Sequence, residues 1–271
     1  MKVGLNAGIF PGGTTPAQSL ELAVAAGCDG LELNIAETGP LSLETSDAQL
    51  DELAAKARAL GLELPTIHCG LHWKYTLTDP DPAVREKGVQ VLERALAIGA
   101  RLGCKVLLVV PGTVTLQVGY ETAMQRARAG VARLIPTAQK LGLQIGIENV
   151  GNRLMLSPLE FREFVAGFGT ETVGAYFDVG NILAYGYPHD WIRTLGRQLC
   201  AVHFKDYRVE GHGRGQFVYL REGDVPWREV MQALREVGYD GYVQAELGPY
   251  KFQPERTAPD TVRAIREILA G

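Results

Sequence analysis

Cysteine is scarce: Cys28, Cys69, Cys104 and Cys200 are four in 271 residues, far apart and without C-x-x-C spacing. That excludes a zinc ribbon and a disulfide framework and leaves reduced, mostly buried thiols. No stretch reaches the roughly 18–20 consecutive apolar residues of a membrane span. The N-terminus lacks the basic segment and apolar core of a secretion signal and opens on the strand-like Met1-Lys2-Val3-Gly4-Leu5. A cytoplasmic protein with no membrane partner is expected. Basic runs are missing too: Lys and Arg are scattered, and the formal net charge of −4 argues against a nucleic-acid partner. Nor is there a linker, a low-complexity tract or a compositional break, so residues 1–271 read as one domain.

What the chain does have is alternation. Short apolar runs recur as VGLNAG (3–8), GLELNI (30–35), LPTIHC (64–69), KVLLVV (105–110), LQIGIEN (143–149), VGAYFDV (173–179), AVHFKD (201–206) and YVQAELG (242–248). Most are continuous, as strands buried on both faces require. Helix-like segments lie between them at 15–27, 47–61, 82–103, 121–142 and 226–238, and a last one at 256–270 closes the chain. Several start at a proline and stop at a glycine, the usual asymmetry of helix ends. Pro136 is expected to kink or split the segment at 121–142. The phrases ALGLEL, RLGCKV, KLGLQI and EVGYDG each put a left-handed glycine cap between a helix and the next strand. Eight such units imply an α/β fold, a single-domain (β/α)₈ TIM barrel, whose usual length is about 250 residues. An open doubly wound sheet would normally carry five or six units.

In such a barrel the chemistry sits at the C-terminal ends of the strands. Glu148 ends the fifth apolar run, Asp178 the sixth, and His203 and Glu246 lie near the ends of the seventh and eighth. Each taken alone has an ordinary structural explanation: a salt bridge or helix cap for the glutamates, a turn for Asp178, a satisfied core imidazole for His203. Together, on four consecutive strands, they converge on one point. Buried carboxylates are costly unless paired or metal-bound, and three together repel. One divalent metal resolves the conflict. The donor set suits Mn²⁺ first, then Mg²⁺ or Co²⁺, with Zn²⁺ also accommodated.

At these residues the chain resembles the sugar isomerase/epimerase superfamily with a xylose-isomerase-like barrel, in particular its D-tagatose 3-epimerase and hexulose-6-phosphate 3-epimerase branch. The matching phrases are IEN (147–149), YFDVGN (176–181), VHFKD (202–206), EGDVPW (222–227) and GYDGYVQAE (238–246). They cover the C-terminal half in order. The resemblance implies a metal on Glu148, Asp178, His203 and Glu246, with Glu148 and Glu246 also transferring the proton through an enediolate. It makes Asn181 a substrate contact, where ketose epimerases carry a histidine. Arg208 is a further contact, one residue short of the family's spacing, and Arg221 stands where the family has a glycine. The substrate implied is a small sugar or sugar phosphate, and the assembly a homodimer or homotetramer.

Around the rim, His68 and His72 follow the third strand as candidate substrate contacts, with Trp73 as an apolar wall. Glu32 is either a hydroxyl contact or a structural ion pair, and Asn149, Asn152 and Lys205 support the centre. His189 and His212 fall in polar loops and should be solvated. The segment 207–225 reads as a long Gly-rich loop able to close over a substrate. A rival reading uses the same metal for an inosose-dehydratase-like elimination of water. Phosphodiester hydrolysis by a trinuclear cluster is opposed by only five histidines and the negative net charge.

Overall fold

The helix starts follow from local chemistry. Thr15 and Gln18 form a capping box ahead of a helix at Pro16–Ala26 (α1), and Ser46 and Gln49 do the same for Asp47–Ala59 (α2). Asp81 and Pro82 open Pro82–Leu102 (α3). Glycines in the left-handed conformation stop three helices: Gly27 (φ 85°), Gly103 (φ 85°) and Gly142 (φ 71°), the last ending Tyr120–Leu141 (α4). Gly103 and Gly142 are glycines of the helix–Gly–strand phrases, and the other two, Gly61 (φ 68°) and Gly238 (φ 74°), are left-handed as well. Pro136 does not split α4, which runs unbroken through it. Its long buried face of Ala123, Ala127, Val131, Leu134 and Ala138 holds the helix together across the missing backbone donor.

In the computed structural model, which describes residues 1–211 and 214–271, the helices alternate with parallel strands. The strands are Lys2–Asn6 (β1), Gly30–Ile35 (β2), Thr66–Cys69 (β3), Val106–Val109 (β4), Gln144–Glu148 (β5), Val173–Asp178 (β6) and Leu199–Phe204 (β7). After β7 comes an antiparallel hairpin, Asp206–Gly211 (β8) and Arg214–Val218 (β9), and then the last barrel strand, Tyr242–Ala245 (β10). The barrel closes in the order β1-β10-β7-β6-β5-β4-β3-β2. Two helices absent from the periodic reading, Pro158–Ala166 (α5) and Pro188–Leu195 (α6), are only nine and eight residues long. The outer ring is completed by Trp227–Glu236 (α7) and Thr257–Ala270 (α8). Among the described residues no helix is long and apolar enough to cross a membrane.

Strand residues alternate between two environments. Ile145, Ile147, Ala175, Phe177, Val202, Phe204, Val243 and Ala245 belong to the large core shared with Leu92, Leu134, Phe161 and Val230 of the surrounding helices. Tyr176 and Ala201 join a smaller cluster with Val106, Leu108 and Val110 inside the barrel. Each large side chain fully buried in such a core is worth about 1.5–3 kcal/mol.

The segment expected as a loop at 207–225 is therefore partly the β8–β9 hairpin. Asp206, fully buried, anchors it: Oδ1 accepts from Tyr207 N and Val225 N, and Oδ2 from Arg221 N and Trp227 Nε1. His189 lies in the first turn of α6, with Nδ1 buried, and is not solvated in a loop. His212 lies outside the described residues.

The segment after β3 packs on α3 through Gly88. A Cβ there would come within 2.3 Å of the Tyr75 carbonyl oxygen. Gly88→Ala gains helix propensity, worth about 1 kcal/mol. The overlap with rigid backbone outweighs it, so the variant should be less stable by about 1–3 kcal/mol, read as a lower urea midpoint at unchanged slope.

Candidate metal centre

Four consecutive strands of the barrel, β10, β7, β6 and β5, carry the four sequence-selected side chains. Register sets Asp178 of β6 beside His203 of β7, and Gln244 of β10 beside His203 on its other side. Glu148 is the last residue of β5, and Glu246 follows β10, two positions beyond Gln244 on the same inward-facing row. One ligand atom from each of Glu148, Asp178, His203 and Glu246 lies within 4.8 Å of the others. His203 Nδ1 is 3.5 Å from Glu148 Oε1 and 3.7 Å from Glu246 Oε2.

Three atoms of these residues, Glu148 Oε1, Asp178 Oδ2 and His203 Nδ1, are buried without a hydrogen bond, though Lys205 Nζ is 3.2 Å from Asp178 Oδ2. Leaving a buried polar atom unsatisfied costs about 1–3 kcal/mol, more when it is charged. Three such atoms beside a fourth carboxylate form an oxygen-rich set with one nitrogen, which a divalent cation satisfies. The residues present fit that group.

The charges push the two glutamates apart. Burial drives the Glu148 carboxyl up to about 7 against the pull of His203, with the Glu246 charge adding to the rise. Burial acts the same way on Glu246, but His203 and Lys205 outweigh it and hold that carboxyl below its usual value. Burial also opposes a charged His203, yet Glu32 and Glu246 keep the imidazole well above its ordinary value.

Glu32 is the residue whose role the sequence left between two readings. It is fully buried at the centre of the barrel and accepts from His203 Nε2 at 3.0 Å, Asn6 Nδ2 at 2.6 Å, Thr66 Oγ1 at 2.6 Å and the Tyr176 hydroxyl at 2.7 Å. Burial would raise its carboxyl, but His203 and the hydrogen bonds bring it down to about 2. A carboxylate only accepts, so Nε2 is the protonated nitrogen and Nδ1 turns to the centre, the arrangement typical of a metal-bound imidazole. Gln244 completes this floor by donating to Thr66 Oγ1 at 2.8 Å and to the Tyr176 hydroxyl at 2.7 Å.

Lys205, two residues beyond His203, lies 3.2 Å from Asp178 Oδ2 and hydrogen-bonds Glu246 Oε2. Asn149 clamps the end of β6, accepting from Asp178 N and donating to Asp178 O. Asn152 instead braces the loop after β4 by donating to Gly112 O. Asn181 N donates to Asp178 Oδ1, and Asn181 Nδ2 to Asn149 O. His68 pairs through Nδ1 with Asn34 Oδ1 at 3.2 Å, and burial lowers its imidazole. His72 stacks edge-on between His68 and Trp73 and is buried with neither ring nitrogen hydrogen-bonded. Arg208 is on the exposed side of the hairpin, donating to Glu222 O, and Arg221 pairs with Glu267 of α8.

A cavity of about 530 Å³ opens over the centre between Asn6, Lys205, Glu246 and the hairpin residues Phe217 and Val218. Another, about 430 Å³, lies at the opposite mouth near Thr66, Val106 and Tyr242 and holds none of the four converging side chains.

The sequence pattern of the xylose isomerase-like TIM barrel family matches residues 20–268, and the chain belongs to that family. A putative L-ribulose-5-phosphate 3-epimerase, SgbU, from Escherichia coli K12 is 27% identical over 236 residues, covering 85% of this chain and 82% of the relative. The L-ribulose-5-phosphate 3-epimerase UlaE from Shigella flexneri is 23% identical over 99% of this chain and 94% of its own. Among solved structures, a D-psicose 3-epimerase crystallised in the presence of D-fructose superposes with a TM-score of 0.83 over 100% of both chains, at 24% identity. The IOLI protein with a bound zinc atom gives 0.83 at 18% identity, over 100% of this chain and 98% of that one.

Replacing Glu32 by glutamine keeps one acceptor oxygen but removes the negative charge and sets an amide NH₂ among the donors of Asn6, Thr66, Tyr176 and His203. Glu32→Gln should weaken Mn²⁺ binding by about 10–100-fold in a calorimetric titration, while circular dichroism reports an intact fold; unchanged affinity would refute the role given to Glu32.

Proposed function

We propose that this chain is a divalent-metal-dependent 3-epimerase of a ketose or ketose phosphate, with Mn²⁺ as the preferred ion. The observation that carries this reading is the convergence of Glu148, Asp178, His203 and Glu246 within 4.8 Å at the C-terminal end of the barrel. The activities named for the relatives point the same way. Bound there, the cation would supply an electrophile that acidifies the carbon beside a substrate carbonyl.

The rest of the chemistry belongs to the chain. Inversion needs a proton removed from one face of a carbon and another returned to the opposite face. Glu148 and Glu246 stand on the two outer strands of the four, with Asp178 and His203 between them, so a substrate lying across the centre has a carboxylate on each side. One accepts the proton and the other donates, with the roles exchanged in the reverse direction. Glu32 keeps His203 in one tautomer throughout. Phe217 and Val218 border the cavity and help exclude water from the carbanionic stage.

Substrate hydroxyls are assigned to His72, whose two unpaired nitrogens support the choice, to His68 beside it, to the Asn181 amide oxygen, and to Arg208 on the hairpin. Trp73, 53% exposed, supplies an apolar wall. We place the protein in the cytoplasm as a homodimer or homotetramer; its four cysteines, all free, are in keeping with a reducing compartment.

The test is incubation of the Mn²⁺-loaded protein in deuterated water with a panel of ketoses and their 5- and 6-phosphates. Deuterium at C3 of the inverted sugar is the expected product. Glu246→Gln should lower kcat by about 10²–10⁴-fold, and exhaustive chelation should abolish turnover reversibly. A conjugated product with new ultraviolet absorbance would instead mean elimination of water. Turnover undiminished in Glu246→Gln would overturn the mechanism.

A further inference from the structure

We propose that Lys205 sets how tightly the centre holds its cation, because its ammonium lies on two of the four ligand groups. This rests on the reading of the centre as a divalent-metal site. Lys205 Nζ is 3.2 Å from Asp178 Oδ2 and bonded to Glu246 Oε2. These oxygens belong to the converging set: Asp178 Oδ2 is among the buried atoms without a hydrogen bond, and Glu246 Oε2 is 3.7 Å from His203 Nδ1.

The side chain is held where it is. It is 15% exposed, its ammonium sits 5.0 Å from the centroid of the Phe217 ring, and its backbone carbonyl packs against Gly180, where a Cβ would come within 2.6 Å of the oxygen. Lys205 is therefore a fixed charge facing the cavity, unlike a surface lysine that swings into solvent.

Charge counting shows what it does. Glu148, Asp178 and Glu246 bring three negative charges, and a divalent cation neutralises two. Lys205 neutralises the third, while Glu32, a fourth carboxylate beneath His203, is met by four hydrogen-bond donors. The ammonium and the cation draw on the same two carboxylates, and like charges a few ångströms apart in a partly desolvated site repel strongly. Lys205 thus lowers affinity for the cation while balancing the charge of the loaded centre.

A competing role makes the opposite prediction. Were Lys205 chiefly an orienting hydrogen-bond donor for Asp178 and Glu246, removing it would loosen the ligands and weaken binding. General damage to the fold would do the same. Tightening is the signature that neither can produce.

The experiment titrates Mn²⁺ by calorimetry into the full-length chain, stripped with EDTA and dialysed, as native protein, Lys205→Met and Lys205→Gln. Met keeps the length and apolar stem of the side chain, and Gln keeps an uncharged donor. Both variants should bind Mn²⁺ more tightly, by about 10–100-fold, as removal of a like charge a few ångströms from the cation requires. Near-ultraviolet circular dichroism checks the fold, and the Gln variant carries the test should Met prove unstable. Unchanged or weaker affinity in a folded variant overturns the proposal. No binding heat even in the native chain overturns it together with the metal reading. Tighter binding in both variants, beside a native protein that epimerises no ketose, supports the role of Lys205 and sinks only the epimerase reading.

Discussion

Three carboxylates aimed at one point inside a protein are the constraint around which the upper end of this barrel is arranged. Glu148 and Asp178 are buried and Glu246 is partly buried, which removes much of the water that would otherwise screen their repulsion. Each neighbour answers part of that problem. His203 stands among the three with Nδ1 towards them, Lys205 bridges two of them from the cavity side, and Asn149 clamps the backbone of Asp178. A divalent cation completes the set. Remove His203 or Lys205 and a carboxylate of the centre loses its partner, which is more damaging than losing a surface ion pair.

The constraint propagates downward. A TIM barrel interior is ordinarily filled by layers of branched aliphatic side chains. Here the layer under the centre is polar: Glu32, Thr66, Tyr176 and Gln244 bond to one another and to His203. Most of the network is satisfied, with Glu32 accepting from four partners, while Gln244 Oε1 is buried without one. Its benefit is directional, since it holds an imidazole to one tautomer and one rotation. Aliphatic packing remains on the β4 side, where Val106, Leu108 and Val110 meet Tyr176.

Much of this was legible in the sequence because a barrel strand has period two. Ile145 and Ile147, Phe177, Val202, Val243 and Ala245 fall on one face; Glu148, Asp178, His203 and Glu246 fall on the other, at strand ends where a charge has no ordinary place. The same rule pointed at Glu32, but not at its partner, because the contact to His203 spans 171 positions of chain and depends on barrel closure. Tyr176 and Gln244 were passed over since a tyrosine or glutamine within an apolar strand looks like filling. The short helices α5 and α6 carry too few turns for a periodic signal. The hairpin was read as a loop because its exposed strands owe their order to Asp206, whose carboxylate ties together backbone donors 15 and 19 positions away.

The order of residues along the arc has its own logic. Across β10, β7, β6 and β5 the sequence of side chains is Glu246, His203, Asp178, Glu148. On the proposed mechanism the two outer positions differ from the inner two in what they have to do. The inner pair is locked: His203 by Glu32 from below, Asp178 by Asn149 and by the Asn181 backbone at its other oxygen. Glu148 Oε1 is without a hydrogen bond, and Glu246 is held by the Lys205 side chain at the cavity edge and, among the described residues, by no backbone donor to its carboxylate. A group that must accept and release a proton needs an oxygen not committed to rigid backbone donors. A group that only holds a cation gains from such commitment. On the proposed mechanism, the division of labour between the glutamates and the Asp–His pair follows from how firmly each is tied down, as well as from which residue type it is.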